Sequence, residues 1–242
     1  MEQTICNAPK EVKREILTNS DYLDVADKLP WATMTHYKLW FTGKMRRHRR
    51  SEVILPRLAK RGLLRTHLYG RKLIYSLPRK RKGLYQVKHD LNASECLVRL
   101  YRADTEGVVY PERSFKGLGV QPEGGIAYEN GKMLLLEFCT KSNFYYTREI
   151  AGKIGRYRKY SQKFIEKFRR QIVVLFVCDV PRPAVVSLAG SVGEPTSPPY
   201  SGDTFSEPFY FVDYERFLKV PIGEALKAPI YFWTDGKEYT LR

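Results

Sequence analysis

Residues 122–139 read PEGGIAYENGKMLLLEFC, and the fold class turns on them. Glu129-Asn130-Gly131-Lys132 has the Asn-Gly pair that tolerates the backbone of a tight hairpin turn. After it, Met133–Cys139 is apolar at both alternations except for Glu137, the pattern of a strand buried on both faces. An acid near the end of such a strand is costly unless it is paired or bound to a metal.

Working outward, the spacing predicts a long basic and aromatic helix over about Thr147–Phe168. A buried strand, QIVVLFVCD at 171–179, follows it. Upstream, an amphipathic helix is expected from Leu91 (Leu91, Cys96, Leu97, Leu100, Tyr101), then a strand at Val108–Tyr110. Helix, strands, helix, strand makes this an α/β, mixed α+β domain. Pro181–Pro208 is rich in Pro, Gly and Ser and reads as a long irregular loop. Phe209–Arg242 is expected to form a strand, a short helix near Tyr214–Val220 or Ile222–Lys227, and a closing hairpin over Asp235-Gly236.

Arg79-Lys-Arg-Lys-Gly83 punctuates the chain and divides it into residues 1–83 and 84–242. The first part carries most of the positive charge. Residues 1–90 hold 21 Lys and Arg against 8 Asp and Glu, whereas 91–242 hold 21 against 18, within a formal net charge of +16. Lys38–Lys88 has 17 basic residues and one acid, Glu52, a density that calls for a polyanion or for a fully solvated face. About 8–30 reads as two short helices broken at Asn19-Ser20-Asp21, and a third covers Met34–Phe41. A fourth starts at Ser51 as N-cap and ends at Gly62, with Pro56 awkward inside it. A hairpin through Leu63–Leu77 turns at Gly70-Arg71. Short helices, a basic helix and a two-stranded ribbon follow the order of a winged helix-turn-helix. Its DNA contacts are assigned to Arg46, Arg47, Arg49, Arg50, Arg57, Lys60 and Arg61, with Arg65, Arg71 and Lys72 on the wing; double-stranded DNA is the expected partner.

Cys6, Cys96, Cys139 and Cys178 have no close spacing, which argues against a zinc module or disulfide framework and for core thiols. No apolar stretch is long enough for a membrane span, and the polar start Met1-Glu-Gln-Thr is not a secretory signal, so a reduced cytoplasmic setting is expected.

Three carboxylates suit a metal-dependent phosphodiesterase: Glu95 in the helix from Leu91, Glu123 after Pro122, and Glu137. Acids at adjoining strand ends, Glu123 and Glu137, can hold Mg²⁺ or Mn²⁺ and leave positions open for water and phosphate. The alternatives are a strand-end Glu137 paired with Lys141 or Arg148, a turn residue at Glu123, and at Glu95 an acid facing the dipole of its helix N-terminus. Arg148, Lys153, Arg156, Tyr157 and their neighbours mix cations with aromatic rings. That mixture suits phosphate contacts and stacking, or equally a solvated helix whose tyrosines pack on the sheet.

The order helix with Glu, strand, Pro122-Glu123, hairpin, Glu137-Phe138-Cys139, helix, apolar strand resembles the PD-(D/E)XK restriction-endonuclease-like core. With Arg49-Arg50, Leu58-Ala-Lys-Arg-Gly62, Tyr75-Ser-Leu77, His89 and Lys153…Tyr157, residues 8–180 resemble the replication-relaxation family of plasmids and other mobile elements. The resemblance implies a winged helix beside a nuclease-like domain. It implies Glu123 and Glu137 on the metal, Glu95 assisting, and Lys141 or Lys153 stabilising the transition state. Two departures stand out: Glu123 replaces Asp, and Cys139 replaces the Lys. Cleavage or nicking in replication, mobilisation or transposition is one implied role. The other is a catalytically inactive replication or transcription factor that recruits a replication, mobilisation or recombination protein. A homodimer is compatible with both.

Overall fold

A computed structural model describes residues 17–42, 50–78, 86–142, 147–191, 209–233 and 237–241. The chain is mixed α and β. Its N-terminal unit holds α1 (Asn19–Lys28), α2 (Met34–Trp40) and α3 (Arg50–Lys60), with β1 (Ala32–Thr33), β2 (Arg65–Tyr69) and β3 (Lys72–Ser76) in an antiparallel sheet ordered β1-β3-β2. The second unit is built on seven strands: β4 (Val108–Pro111), β5 (Gly124–Ala127), β6 (Lys132–Cys139), β7 (Gln171–Cys178), β8 (Phe209–Asp213), β9 (Tyr231–Phe232) and β10 (Glu238–Tyr239). Their order is β10-β9-β8-β7-β6-β5-β4, parallel only across β6–β7 and β7–β8. Its helices are α4 (Val87–Ala103), α5 (Thr147–Phe168), α6 (Arg182–Ser191) and α7 (Tyr214–Lys219).

The central strands are apolar on both faces because both are covered. Leu134, Leu136 and Phe138 of β6 share a core with α4, whereas Met133, Leu135 and Cys139 pack with Ile150, Ile154, Tyr157 and Phe164 of α5. The hairpin between β5 and β6 turns where expected, with Gly131 at φ +80, a conformation that favours glycine. The side of the sheet that meets α4 is continuous with the N-terminal unit. Tyr22, Tyr37 and Leu55 belong to the same cluster, and Trp40 of α2 stacks on Tyr101 of α4 at 4.3 Å between centroids. One helix, α4, is therefore packed on both sides.

Several boundaries differ from expectation. The first helix is capped by Thr18 rather than within Asn19-Ser20-Asp21: the Thr18 hydroxyl accepts from the Asp21 backbone N–H, and the Asp21 carboxylate accepts from the Thr18 backbone N–H, closing a capping box. Ser51 is not a cap but lies inside α3, buried, with its hydroxyl 3.3 Å from that of Tyr22. Pro56 sits within the same helix, on an exposed position, and the helix runs on to Lys60. Gly62 follows with φ +70, as a helix stop requires. The helix expected from Leu91 begins a turn earlier, at Val87. The first part of the expected 181–208 loop is α6, in which Val185, Leu188 and Ala189 form one buried stripe and Pro183 falls in the first turn, where its missing N–H costs nothing. The remainder of that loop lies outside the described residues, as do the helix expected before Leu17 and Asp235-Gly236. Cys96, Cys139 and Cys178 are buried free thiols. Among the described residues no helix is long and apolar enough to cross a membrane.

Because the Trp40–Tyr101 stack joins the two units, Trp40→Ala is expected to lower unfolding free energy by about 3–5 kcal/mol. A denaturant titration would register this as a lower midpoint; an unchanged midpoint would mean the stack adds nothing to the fold.

Candidate functional site

The C-terminal end of β6 gathers side chains from four elements. The backbone N–H of Glu123 donates to the Leu136 carbonyl at 2.9 Å, which extends the β5–β6 pairing by one residue and brings Glu123 beside Glu137. From the α5 side, Lys153 and Tyr157 stand one helical turn apart and both reach Glu137. The Lys153 ammonium donates to Oε2, and the Tyr157 hydroxyl to Oε1 at 2.7 Å. From the α4 side comes His89, in the first turn of its helix. Its Nδ1 is 3.1 Å from Asp90 Oδ1, and its Nε2 is 3.1 Å from the Phe138 carbonyl and 3.3 Å from Glu123 Oε1.

These groups differ sharply in access. Glu137 is 0% exposed and both its oxygens are engaged, whereas Glu123, His89 and Lys153 are 13, 22 and 29% exposed. Solvent and any ligand therefore meet the last three first.

The electrostatics follow from this crowding. Glu123 is pushed up to about 7: burial is the largest cause, His89 opposes it, Glu137 adds to it and Lys153 opposes it again. His89 is raised although burial works the other way, because Asp90, Glu123 and the Phe138 carbonyl all favour the protonated ring. Both ring nitrogens face acceptors, so the imidazolium satisfies every contact. Lys153 is raised in the same manner, with Glu137 outweighing burial, and the Tyr157 phenol is held well above its usual value by burial and by Glu137.

His89, Asp90 and Glu123 offer ligand atoms that all lie within 4.8 Å of one another. An imidazole with two carboxylates is a donor set that fits a divalent ion, which would bind a deprotonated ring nitrogen of His89. Glu137, expected as the second metal ligand, does not fit as it stands, since its oxygens belong to Lys153 and Tyr157.

The remaining expected residues fall elsewhere. Glu95 is in the middle of α4, more than two turns past its start, so it does not face the helix N-terminus. Its Oε2 takes His36 Nε2 at 3.1 Å and its Oε1 takes Arg99 Nε at 2.7 Å. These partners hold its carboxyl below the ordinary value even though burial, the largest influence, opposes them. Lys141 is exposed past the end of β6, and the cation on Glu137 is Lys153. Tyr157, assigned to DNA contact, is buried with its hydroxyl on Glu137. Arg156 is exposed on α5, and Arg50, Arg57, Lys60, Arg61, Arg65, Arg71 and Lys72 are exposed on the N-terminal unit. Arg46, Arg47 and Arg49 lie outside the described residues.

Asp90 and the hydrogen bond from Tyr157 to Glu137 were not anticipated, although tyrosines packed on the sheet were one of the two readings of that helix. The spacing Lys153–Tyr157 is an i,i+4 pair, a signal that both share a face, and starting α4 at Val87 would have put His89 and Asp90 on a helix. The chain matches no family model, no curated protein and no solved structure.

The unfolded Glu123 carboxyl ionises near pH 4.5 and the folded one near 7, so ionisation destabilises the folded chain progressively between those values. The loss approaches about 3 kcal/mol above pH 7. His89, with its raised pKa, adds stability below pH 6.5 that is lost as pH rises through its folded value. Melting curves of Glu123→Gln and the parent at pH 5 and pH 8 are expected to show the variant gaining relative to the parent at the higher pH. A gain that does not depend on pH would contradict this burial.

Proposed function

We propose that this chain is a DNA-binding protein that hydrolyses phosphodiester bonds with a divalent cation, in the replication, mobilisation or transposition of a mobile element. The observation that carries the reading is the meeting of accessible Glu123, His89 and Lys153 at the end of β6. In it, His89, Asp90 and Glu123 hold the ion. Lewis acidity toward a phosphate oxygen is what a divalent ion supplies there. Lys153 faces the developing negative charge of the phosphate and stabilises it. Glu137 positions Lys153 by a buried ion pair, and Tyr157 locks the carboxylate in turn. Lys153 thus serves in place of the lysine that Cys139 lacks. An imidazole among the ligands favours a transition-metal ion over Mg²⁺.

The N-terminal unit is the duplex-binding part of this proposal. Its three helices and β2–β3 hairpin suit a winged helix, with Arg50, Arg57, Lys60 and Arg61 toward a groove and its flanking phosphates, and Arg65, Arg71 and Lys72 on the wing. The likeness to the replication-relaxation family, a cytoplasmic setting and a recruited replication or recombination protein belong to the same proposal. A second reading, a binding protein that has lost cleavage, is favoured by the complete burial of Glu137.

Supercoiled plasmid incubated with the protein and Mn²⁺, Mg²⁺ or EDTA distinguishes the two. Nicking or cutting is expected to be strongest with Mn²⁺, absent in EDTA, and slowed by roughly 10²–10³ in Lys153→Ala. Tight binding without cleavage in either metal would leave the second reading. Duplex affinity is expected to fall by about 10³ or more between 50 and 200 mM salt, and a flat response would remove the DNA-binding assignment itself.

A further inference from the structure

A cleft of about 880 Å³ separates the β2–β3 hairpin from α4 and α7. One wall is the hairpin end, Tyr69, Arg71 and Lys72. The other is a stripe of α4 that carries Lys88 and Asn92 and continues to Glu95 and Arg99. Among the described residues the only acid lining it, Glu95, is engaged by both His36 and Arg99, and Arg99 also donates to the Val220 carbonyl at 3.1 Å. The cleft is therefore cationic at its rim and neutralised at its floor.

Its inner end adjoins the site. Lys88 precedes His89 on α4 and lies 3.9 Å from Asp179 just past β7. Tyr214, which lines the cleft, meets the Phe138 ring edge-on at 5.1 Å, and the same ring meets His89 at 5.6 Å. Phe138 thus touches both a residue of the cleft wall and a residue of the site.

We propose that this cleft is a channel for a single strand of DNA, which it leads from the hairpin to the His89–Glu123–Lys153 site. The volume is that of a pocket for a small ligand or a short run of flexible chain, about 300–1,000 Å³. A duplex, whose major groove alone is about 12 Å wide, does not fit inside it. Cations at the rim follow a phosphate backbone, and Tyr69, partly exposed at the hairpin, offers a ring on which a base stacks. This rests on the DNA-binding reading above and sharpens it: the substrate is DNA with a single-stranded segment beside a duplex, gripped by the cleft and by the basic helix respectively.

The test is fluorescence anisotropy in EDTA with the full chain, using a short labelled oligothymidylate and a blunt duplex as separate probes. Asn92→Trp, which fills the cleft, and Lys88→Glu, which reverses its inner charge, are each expected to weaken single-strand binding roughly tenfold or more. Tyr69→Ala is expected to do so by a similar factor. Duplex binding should change less than about threefold, since the exposed cations of α3 remain. Melting temperatures check that each variant is folded, and Lys88→Glu, an exposed site, serves if Asn92→Trp does not fold. Single-strand affinity equal to that of the parent in Lys88→Glu, equal losses on both probes, or no single-strand binding by the parent would each overturn the channel. Absence of cleavage in the plasmid assay would leave these binding results standing, so the two proposals fail separately.

Discussion

A carboxylate without solvent contact must be met by a cation and a donor, and Glu137 obtains both from one helix. Lys153 and Tyr157 are spaced so that a single face of α5 supplies them. Leaving out Lys153 would strand a buried charge, at a cost of about 3–5 kcal/mol for a broken buried pair, and leaving out Tyr157 would deprive Oε1 of its donor. The clamp therefore fixes how α5 lies on the sheet, and with it the position of the ammonium at the mouth of the site. The same geometry takes Glu137 out of direct contact with solvent. What remains accessible beside the Lys153 ammonium is a pair from different layers, Glu123 from the sheet and His89 from α4.

The second organising element is α4. Its N-terminal turn delivers His89 and Asp90 to the end of β6, its middle holds Glu95 against His36 of α2, and its last turn presents Tyr101 to Trp40. A rigid helix of 17 residues thus ties the basic N-terminal unit to the chemical end of the sheet. The cleft beside it follows from that arrangement, because the hairpin end, the start of α2, α7 and the stripe of α4 from Lys88 to Arg99 all line it. The cationic hairpin, the cleft and the site are consequently neighbours in space although they come from distant stretches of the chain.

Much of this was legible in the order of residues. Continuous apolar runs marked β6 and β7, the Asn130-Gly131 pair marked the turn before β6, and the spacing of 147–168 marked α5, because each depends on neighbours a few positions away. The same locality explains the misplaced boundaries. Ser51 has the composition of a cap, but its hydroxyl is turned to Tyr22, a contact no local pattern contains. Arg182–Ser191 looks like loop because of its Pro, Gly and Ser, yet it has enough small and apolar residues on one side to pack as a helix against the sheet.

By itself the sequence determined that the chain is mixed α and β, that its N-terminal third is strongly basic, and that an acid interrupts a buried strand at Glu137. Those are statements about composition and short periodicity, which survive whatever the distant contacts are. Only the tertiary structure decided what Glu137 is paired with, that Glu95 belongs to the junction with α2, that Tyr157 points inward, and that His89 and Asp90 join Glu123. Each of these depends on which elements are brought side by side and on the rotation of a helix about its axis, and neither is encoded in any one stretch of residues.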